Sequence, residues 1–271
     1  MARDGVWKKL DAALTWHPED VNEVATGSSN SCIQVQYKFQ GIASHAAGAP
    51  HKGVDALNAA ALGMHALELQ RESFRDEDTV RVHGMMSRGG DAVNVIADDV
   101  ALQYLVRAAN IPAIKDANYK VNRAMQAGAI GTGAGVEIST APGYLPTVPL
   151  HDTEMLENAI DDVLEAVGGG STDYGDISYV YPLLQFNTGG MSGTGHNPKY
   201  DVCCEDTAYL TTAKLFAVIT YRLLKDGAKE AIKIRDTFKP KMTKEEYLEY
   251  MESMIEKIVV EMKEPPKMEK A

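Results

Sequence analysis

The chain has 271 residues, of which 45% are hydrophobic and 24% charged, a composition typical of a globular protein with one or two domains. Its formal net charge of -11 would repel phosphate backbones and argues against nucleic-acid binding. No apolar run approaches the roughly 20 residues of a membrane helix, and the first residues lack the apolar core of a signal peptide. Three cysteines, two of them adjacent, are typical of free thiols. We therefore expect a cytoplasmic protein without nucleic-acid or membrane partners.

A compact module is predicted in the first half of the chain. Apolar and polar residues alternate from Ile33 to Phe39, which indicates a strand with one buried face. Apolar residues then recur every three or four positions from Val54 to Phe74, which indicates an amphipathic helix. Strand, strand, helix and strand follow at Thr79–Met86, Val100–Arg107, Ile111–Ala129 and Val136–Thr140. This order is that of a ferredoxin-like βαββαβ unit.

The flanking segments are expected to form a second, larger α/β domain that receives this module as an insertion. Residues 1–31 are too few to build a core of their own. After Pro149 the patterns predict a helix, a strand and a helix at Thr153–Ala166, Ile177–Val180 and Thr207–Leu224. The expected divisions are 1–31, 32–145 for the module, 146–240, and a tail at 241–271. In that tail we expect a surface helix over Thr243–Met262, with its apolar face docked on the protein.

Three of the seven histidines lie in unusual surroundings. His17 follows a short apolar run that could end a strand, which is where α/β enzymes place site residues. His45 lies in a loop of small residues, and His196 lies in a glycine-rich segment whose folding costs entropy. His65 and His83 fall within the predicted helix and strand, where a structural role is the more common one.

Four segments resemble the M20 metallopeptidase and amidohydrolase family. Ser-His-Ala-Ala at residues 44–47, before a helix that opens Ala-Leu-Asn-Ala, resembles the family's lid domain. Gly-Gly-Asp-Ala-Val-Asn-Val-Ile at 89–96, with an arginine downstream, resembles its Gly-Gly-x-x-x-Asn-Val-Ile-Pro motif, although Ala97 replaces the proline. Residues 11–18 and 170–178 are similar to the p-aminobenzoyl-glutamate hydrolase branch of the family. The resemblance reaches about Phe238.

This resemblance implies a role for five residues. His17 and His196 match histidines that bind the catalytic metals, zinc or manganese. His45 matches a lid histidine that stabilises the tetrahedral intermediate, often across a dimer. Asn94 and Arg107 match a pair that holds a substrate carboxylate, although Arg107 could also be a surface ion-pair residue. The implied fold is a partial zinc-exopeptidase-like catalytic domain with an inserted lid and dimerisation domain.

One departure from the family affects the expected activity. The family's first metal-binding motif and its Glu-Glu pair lie upstream of the residue that matches Met1, and Asp173 and Asp176 match positions that support the fold. We therefore expect this chain to be the C-terminal portion of an amidohydrolase, inactive alone and binding little metal. It is a truncated product, an artificial fragment, or one half of a split gene, and in the last case a complementing N-terminal chain is a partner. The expected substrate is a small N-acyl amino acid or dipeptide, and the expected assembly is a homodimer through the lid. The alternative is a non-catalytic dimerisation or binding module.

Overall fold

A computed structural model of the chain describes residues 10–20, 23–24, 27–148 and 174–262. The chain divides into two compact units. Unit 1 comprises residues 1–29 and 145–249, and unit 2 comprises residues 30–144 and 250–271. The predicted helix at Thr153–Ala166 lies outside the described residues. No helix within the described ranges is both long and apolar enough to cross a membrane.

Unit 2 contains the predicted ferredoxin-like module, and this prediction is confirmed. Its six elements follow the order strand, helix, strand, strand, helix, strand: β3 (Ser31–Gln40), α1 (Ala56–Gln70), β4 (Arg81–Gly89), β5 (Asp99–Ala108), α2 (Ile111–Thr132) and β6 (Gly135–Tyr144). The strands pair in the order β6-β3-β5-β4, and each pairing is antiparallel.

Both helices cover one face of this sheet and leave the other face open. Alternate residues of β3, including Val35, Tyr37 and Phe39, are buried in the core beneath the helices. The helices approach closely because Gly128 of α2 faces α1, where an added Cβ would lie 2.3 Å from the Ala59 carbonyl oxygen. Asp55 caps the start of α1 by accepting hydrogen bonds from two backbone amides of the first turn. The open face therefore carries the intervening, mostly polar residues.

The predicted tail helix over Thr243–Met262 is wrong in its second half. The helix α5 (Lys244–Ser253) ends, and β10 (Glu256–Val260) then pairs antiparallel with β6 as a fifth strand of the unit 2 sheet. Two physical causes favour the strand: β-branched Ile258, Val259 and Val260 suit an extended chain, and β6 offers an unpaired edge. The apolar residues of this segment also fit the three-to-four-residue spacing of a helix, so the sequence pattern did not reveal the strand.

Unit 1 is built on a parallel strand pair, β1 (Ala13–Pro18) with β7 (Leu183–Thr188), and a short third strand, β2 (Glu23–Val24). The predicted strand at Ile177–Val180 is wrong, because those residues belong to α3 (Tyr174–Val180) and the strand follows a Pro182 turn. A hairpin of β8 (Met191–Ser192) and β9 (Asp201–Val202) comes next.

The predicted helix Thr207–Leu224 is present. A π-helical segment (Asp206–Thr211) leads into α4 (Thr212–Thr237), whose first stretch ends at Leu224, and a second helical stretch follows the non-helical residues Lys225–Ala228. Its apolar face covers β7, and the core of unit 1 includes the residues Leu184, Phe186, Leu215, Ile219 and Ile234.

Candidate functional site

His45 lies at the end of the unit 2 sheet where β3 ends and β5 begins. Backbone amides of Ala47 and Gly48 donate to its Nδ1 at 3.2 and 3.0 Å, and the side chain is exposed. An acceptor at Nδ1 places the proton of the neutral imidazole on Nε2. The loop needs glycine at position 41, because a Cβ there would lie 2.1 Å from the Val54 carbonyl oxygen. The His45 loop therefore presents the Nε2–H of the imidazole as a donor, which is the kind of group that stabilises an oxyanion.

Asn94 is brought next to His45. The loop between β4 and β5 runs beside the His45 loop, so that the Ala46 amide donates to the Asn94 carbonyl oxygen at 2.9 Å and His45 forms a β-bridge with Val95. Asn94 is exposed. Two of the sequence-predicted residues thus share one end of the sheet.

Arg107 lies at the opposite end of the same sheet. It is eight positions along β5 from Asp99, a separation of about 27 Å in an extended strand. There it neighbours Cys32, whose thiol pKa is raised by burial and partly lowered again by the positive charge of Arg107. One copy of the chain therefore does not bring Asn94 and Arg107 to a single carboxylate.

His17 lies in unit 1, near the carboxyl end of β1, opposite Asn187 of β7. Its Nδ1 is 3.2 Å from the Glu19 Oε1, and both side chains are partly exposed. A carboxylate at Nδ1 orients an imidazole so that Nε2 is free, which is the arrangement found behind many metal-binding histidines. Glu19 is not among the sequence-predicted site residues, although a carboxylate two positions after a histidine at a strand end was a usable signal.

His196 lies in the turn that joins β8 to β9, also in unit 1. Its φ of 63° is in the left-handed region, uncommon for a residue other than glycine, and its side chain is exposed. The Tyr200 hydroxyl at the end of this turn donates to the Pro18 carbonyl oxygen at 2.9 Å, which holds the turn to the end of β1. The pKa of Tyr200 is raised by burial and by the carboxylates of Glu19 and Asp20.

These residues do not make up a complete metal centre. Within the described ranges, no three His, Cys, Asp or Glu side chains form a group that could hold a metal ion. Structural and catalytic zinc sites use three or four protein ligands. Asp176 has a structural contact, since its Oδ1 accepts the Leu145 amide at 2.8 Å, and Asp173 is outside the described residues.

Part of the chain is similar to a known family and to several known proteins. Residues 29–131 match the family model of the M20 peptidase dimerisation domain. Xaa-Arg dipeptidase of Mus musculus is 29% identical over 263 residues, which are 90% of this chain and 59% of that protein. One subunit of the p-aminobenzoyl-glutamate hydrolase of Escherichia coli is 32% identical over 172 residues, 62% of this chain and 34% of that protein.

A solved structure shares the fold. The aminobenzoyl-glutamate utilization protein of Klebsiella pneumoniae superimposes with a TM-score of 0.60 at 17% identity, covering 82% of this chain and 56% of that one. The chain thus spans roughly a third to three fifths of the length of the proteins it matches.

Proposed function

Because the chain carries the M20 peptidase dimerisation domain and is a homologue of Xaa-Arg dipeptidase and of p-aminobenzoyl-glutamate hydrolase, we propose that it forms part of a metal-dependent amidohydrolase. Its substrate is a small N-acyl amino acid or dipeptide. Both relatives' names describe a substrate that ends in an amino acid with a free carboxylate. The single observation that carries the proposal is the exposed His45 imidazole held beside Asn94, with a free Nε2–H.

In this proposal three residues of unit 2 act on the substrate. Arg107 pairs with the carboxylate of the leaving amino acid in the two-pronged geometry of a guanidinium, and Asn94 donates its amide to the same group. The Nε2–H of His45 donates to the amide oxygen as negative charge develops on it. These roles position the substrate and stabilise its transition state.

A site that uses all three residues needs two copies of the chain. His45 and Asn94 lie at one end of the unit 2 sheet, and Arg107 lies about 27 Å away along β5. An arginine side chain cannot span that distance. One copy therefore supplies His45 and Asn94, and its partner supplies Arg107.

The free edge of the sheet determines how the copies pair. The described sheet has two outer strands, β4 and β10, and the nine-residue β4 offers a longer row of unpaired backbone groups than the five-residue β10. In a two-fold antiparallel pairing of β4 with its counterpart, Arg81 of one copy meets Gly89 of the other. The Arg107 end of one sheet then lies on the same side as the Asn94 end of the partner's sheet, with three strand spacings, about 14 Å, between β5 and the partner's β5. Edge pairing thus brings the two ends closer together than they lie within one copy.

His17 and His196 are the proposed metal-binding residues of unit 1, as zinc or manganese ligands. The described residues do not complete such a centre, so no step of the reaction is assigned to the metal. The lack of a complete metal centre among the described residues favours a second candidate function, a non-catalytic dimerisation or binding module.

Substrate binding tests the proposal without requiring turnover. N-acetyl-L-glutamate is expected to bind the wild-type dimer, and Asn94→Ala and Arg107→Gln are each expected to weaken binding by roughly tenfold, since each removes a hydrogen bond to a charged group. Isothermal titration calorimetry measures the dissociation constants. Arg75→Gln is the control, because Arg75 is highly exposed and its ion pair among the described residues is a local one with Glu77. Unchanged affinity in both test variants would refute the assigned roles.

A further inference from the structure

A second arginine lies directly opposite Arg107 on the open face of the unit 2 sheet. The register of β4 with β5 pairs Arg81 with Arg107, and the next pair, Val82 with Val106, is buried under the helices. Side chains alternate between the faces of a sheet, so both arginines point to the open face. Directly opposed residues of an antiparallel pair have Cβ atoms about 5 Å apart. The two arginine side chains therefore start from neighbouring positions on one face of the sheet.

This pair has no counter-charge among the residues that the structure describes. No described carboxylate forms an ion pair with either arginine, and Arg81 donates to the carbonyl oxygen of the adjacent Val80 at 3.0 Å. The Nε of Arg107 is buried without a hydrogen-bond partner. Like charges directly opposed on a sheet are destabilising, and a buried donor without a partner is costly. An anion bound to the terminal nitrogens of the two arginines relieves the like-charge penalty.

Among the described residues, no carboxylate lines the adjoining part of the open face. A groove of about 610 Å³ begins at the next open-face pair, His83 with Leu105, and its polar lining of amide, imidazole and hydroxyl groups includes Gln34, His83, Gln103 and Ser139. The nearest carboxylate on the open face of β6, Glu137, pairs with Lys257 at 2.8 Å. In a chain of net charge -11, this end of the face is positive.

We infer that Arg81 determines substrate specificity by binding a second carboxylate on the leaving amino acid, while Arg107 holds the first. This inference rests on the proposed function, because it assumes that Arg107 binds substrate. The two carboxylates of a glutamate-like amino acid are separated by three carbon atoms, a length similar to the spacing of the paired strands. The chain therefore favours a dicarboxylic leaving group, and a basic one such as arginine is repelled.

The test compares two ligands that differ by one charge. N-acetyl-L-glutamate and N-acetyl-L-glutamine have the same size, and only the first has the second carboxylate. Calorimetry on the full dimeric chain is expected to show a preference for N-acetyl-L-glutamate of about tenfold, the value of one charge-assisted hydrogen bond. Arg81→Gln is expected to abolish this preference, because it weakens the binding of N-acetyl-L-glutamate more than that of N-acetyl-L-glutamine. Arg81→Lys is expected to restore part of the preference. Arg75→Gln again serves as the control for the loss of one positive charge.

Each outcome decides the inference. Equal affinity of the wild-type chain for the two ligands, or a preference that survives Arg81→Gln, would overturn the role of Arg81. Failure of the proposed function itself gives a different result. In that case Arg107→Gln leaves the binding of both ligands unchanged. A ligand concentration of about 10 mM detects even interactions weaker than about 4 kcal/mol. If neither ligand binds at this concentration, both the proposed function and the role of Arg81 are overturned.

Discussion

Replacing Met85 and Met86 with aspartate is expected to convert the dimer into monomers, raising its dissociation constant by roughly a hundredfold. The two methionines are 60% and 38% exposed in the middle of the nine-residue β4 edge. In a two-fold antiparallel pairing, residues near the middle of β4 meet their own counterparts, so an introduced carboxylate meets a second carboxylate. Like charges opposed across an interface cost several kcal/mol. Sedimentation velocity over a concentration series measures the change.

The other edge of the sheet provides the matched control. Val259→Asp also places a carboxylate on an exposed residue of an outer strand, β10, where Val259 is 57% exposed. This variant is expected to remain dimeric. A dimer that tolerates both changes in β4 and dissociates with Val259→Asp would place the interface at β10 and remove the geometric basis of the shared site.

The 271-residue chain alone is expected to have almost no amidase activity. Ordinary enzymes turn over roughly 1 to 1000 times per second, and a two-metal hydrolase needs several metal ligands and a general base. The described residues bring no three such ligand groups together, and the two candidate imidazoles, His17 and His196, are insufficient by themselves. Hydrolysis of p-aminobenzoyl-glutamate with added Zn²⁺ or Mn²⁺ measures the rate, which we expect to be orders of magnitude below this range.

Two controls make that result interpretable. The same preparation must be dimeric and must bind N-acetyl-L-glutamate, so that low activity does not reflect misfolding. Turnover above about 1 per second that disappears in His17→Ala and in His196→Ala would contradict the expectation, and it would also exclude a purely non-catalytic binding module.

The ferredoxin-like module was predictable from sequence because its elements are long and their apolar residues recur periodically. β3 alternates buried and more exposed residues over the eight positions from Ile33 to Gln40, and the caps of both helices, Asp55 and Asn110, accept hydrogen bonds from the first turns. Local patterns and global packing agree there. The strand placed at Ile177–Val180 failed because a short apolar run fits a helix or a strand equally well, and the Pro182 turn moved the strand to Leu183–Thr188.

The site was only partly predictable. The loop motifs led to His45 and Asn94, and the fold places them together. Their separation from Arg107 depends on the direction of β5, and the pairing of Arg81 with Arg107 depends on strand register. Neither feature is local in sequence. The strand β10 was missed for the same reason, since its pairing partner lies more than a hundred residues earlier.

A mixed dimer tests most directly whether two copies share each site. Chains carrying Asn94→Ala and Arg107→Gln, each with a different affinity tag, are co-expressed and the mixed dimer is purified through both tags. If Asn94 and Arg107 act from different copies, one site of this dimer combines an intact Asn94 with an intact Arg107, and the other site lacks both. Calorimetry with N-acetyl-L-glutamate should then show one site of wild-type affinity per dimer, although neither parent dimer has any. A mixed dimer that binds as weakly as its parents would contradict the shared site.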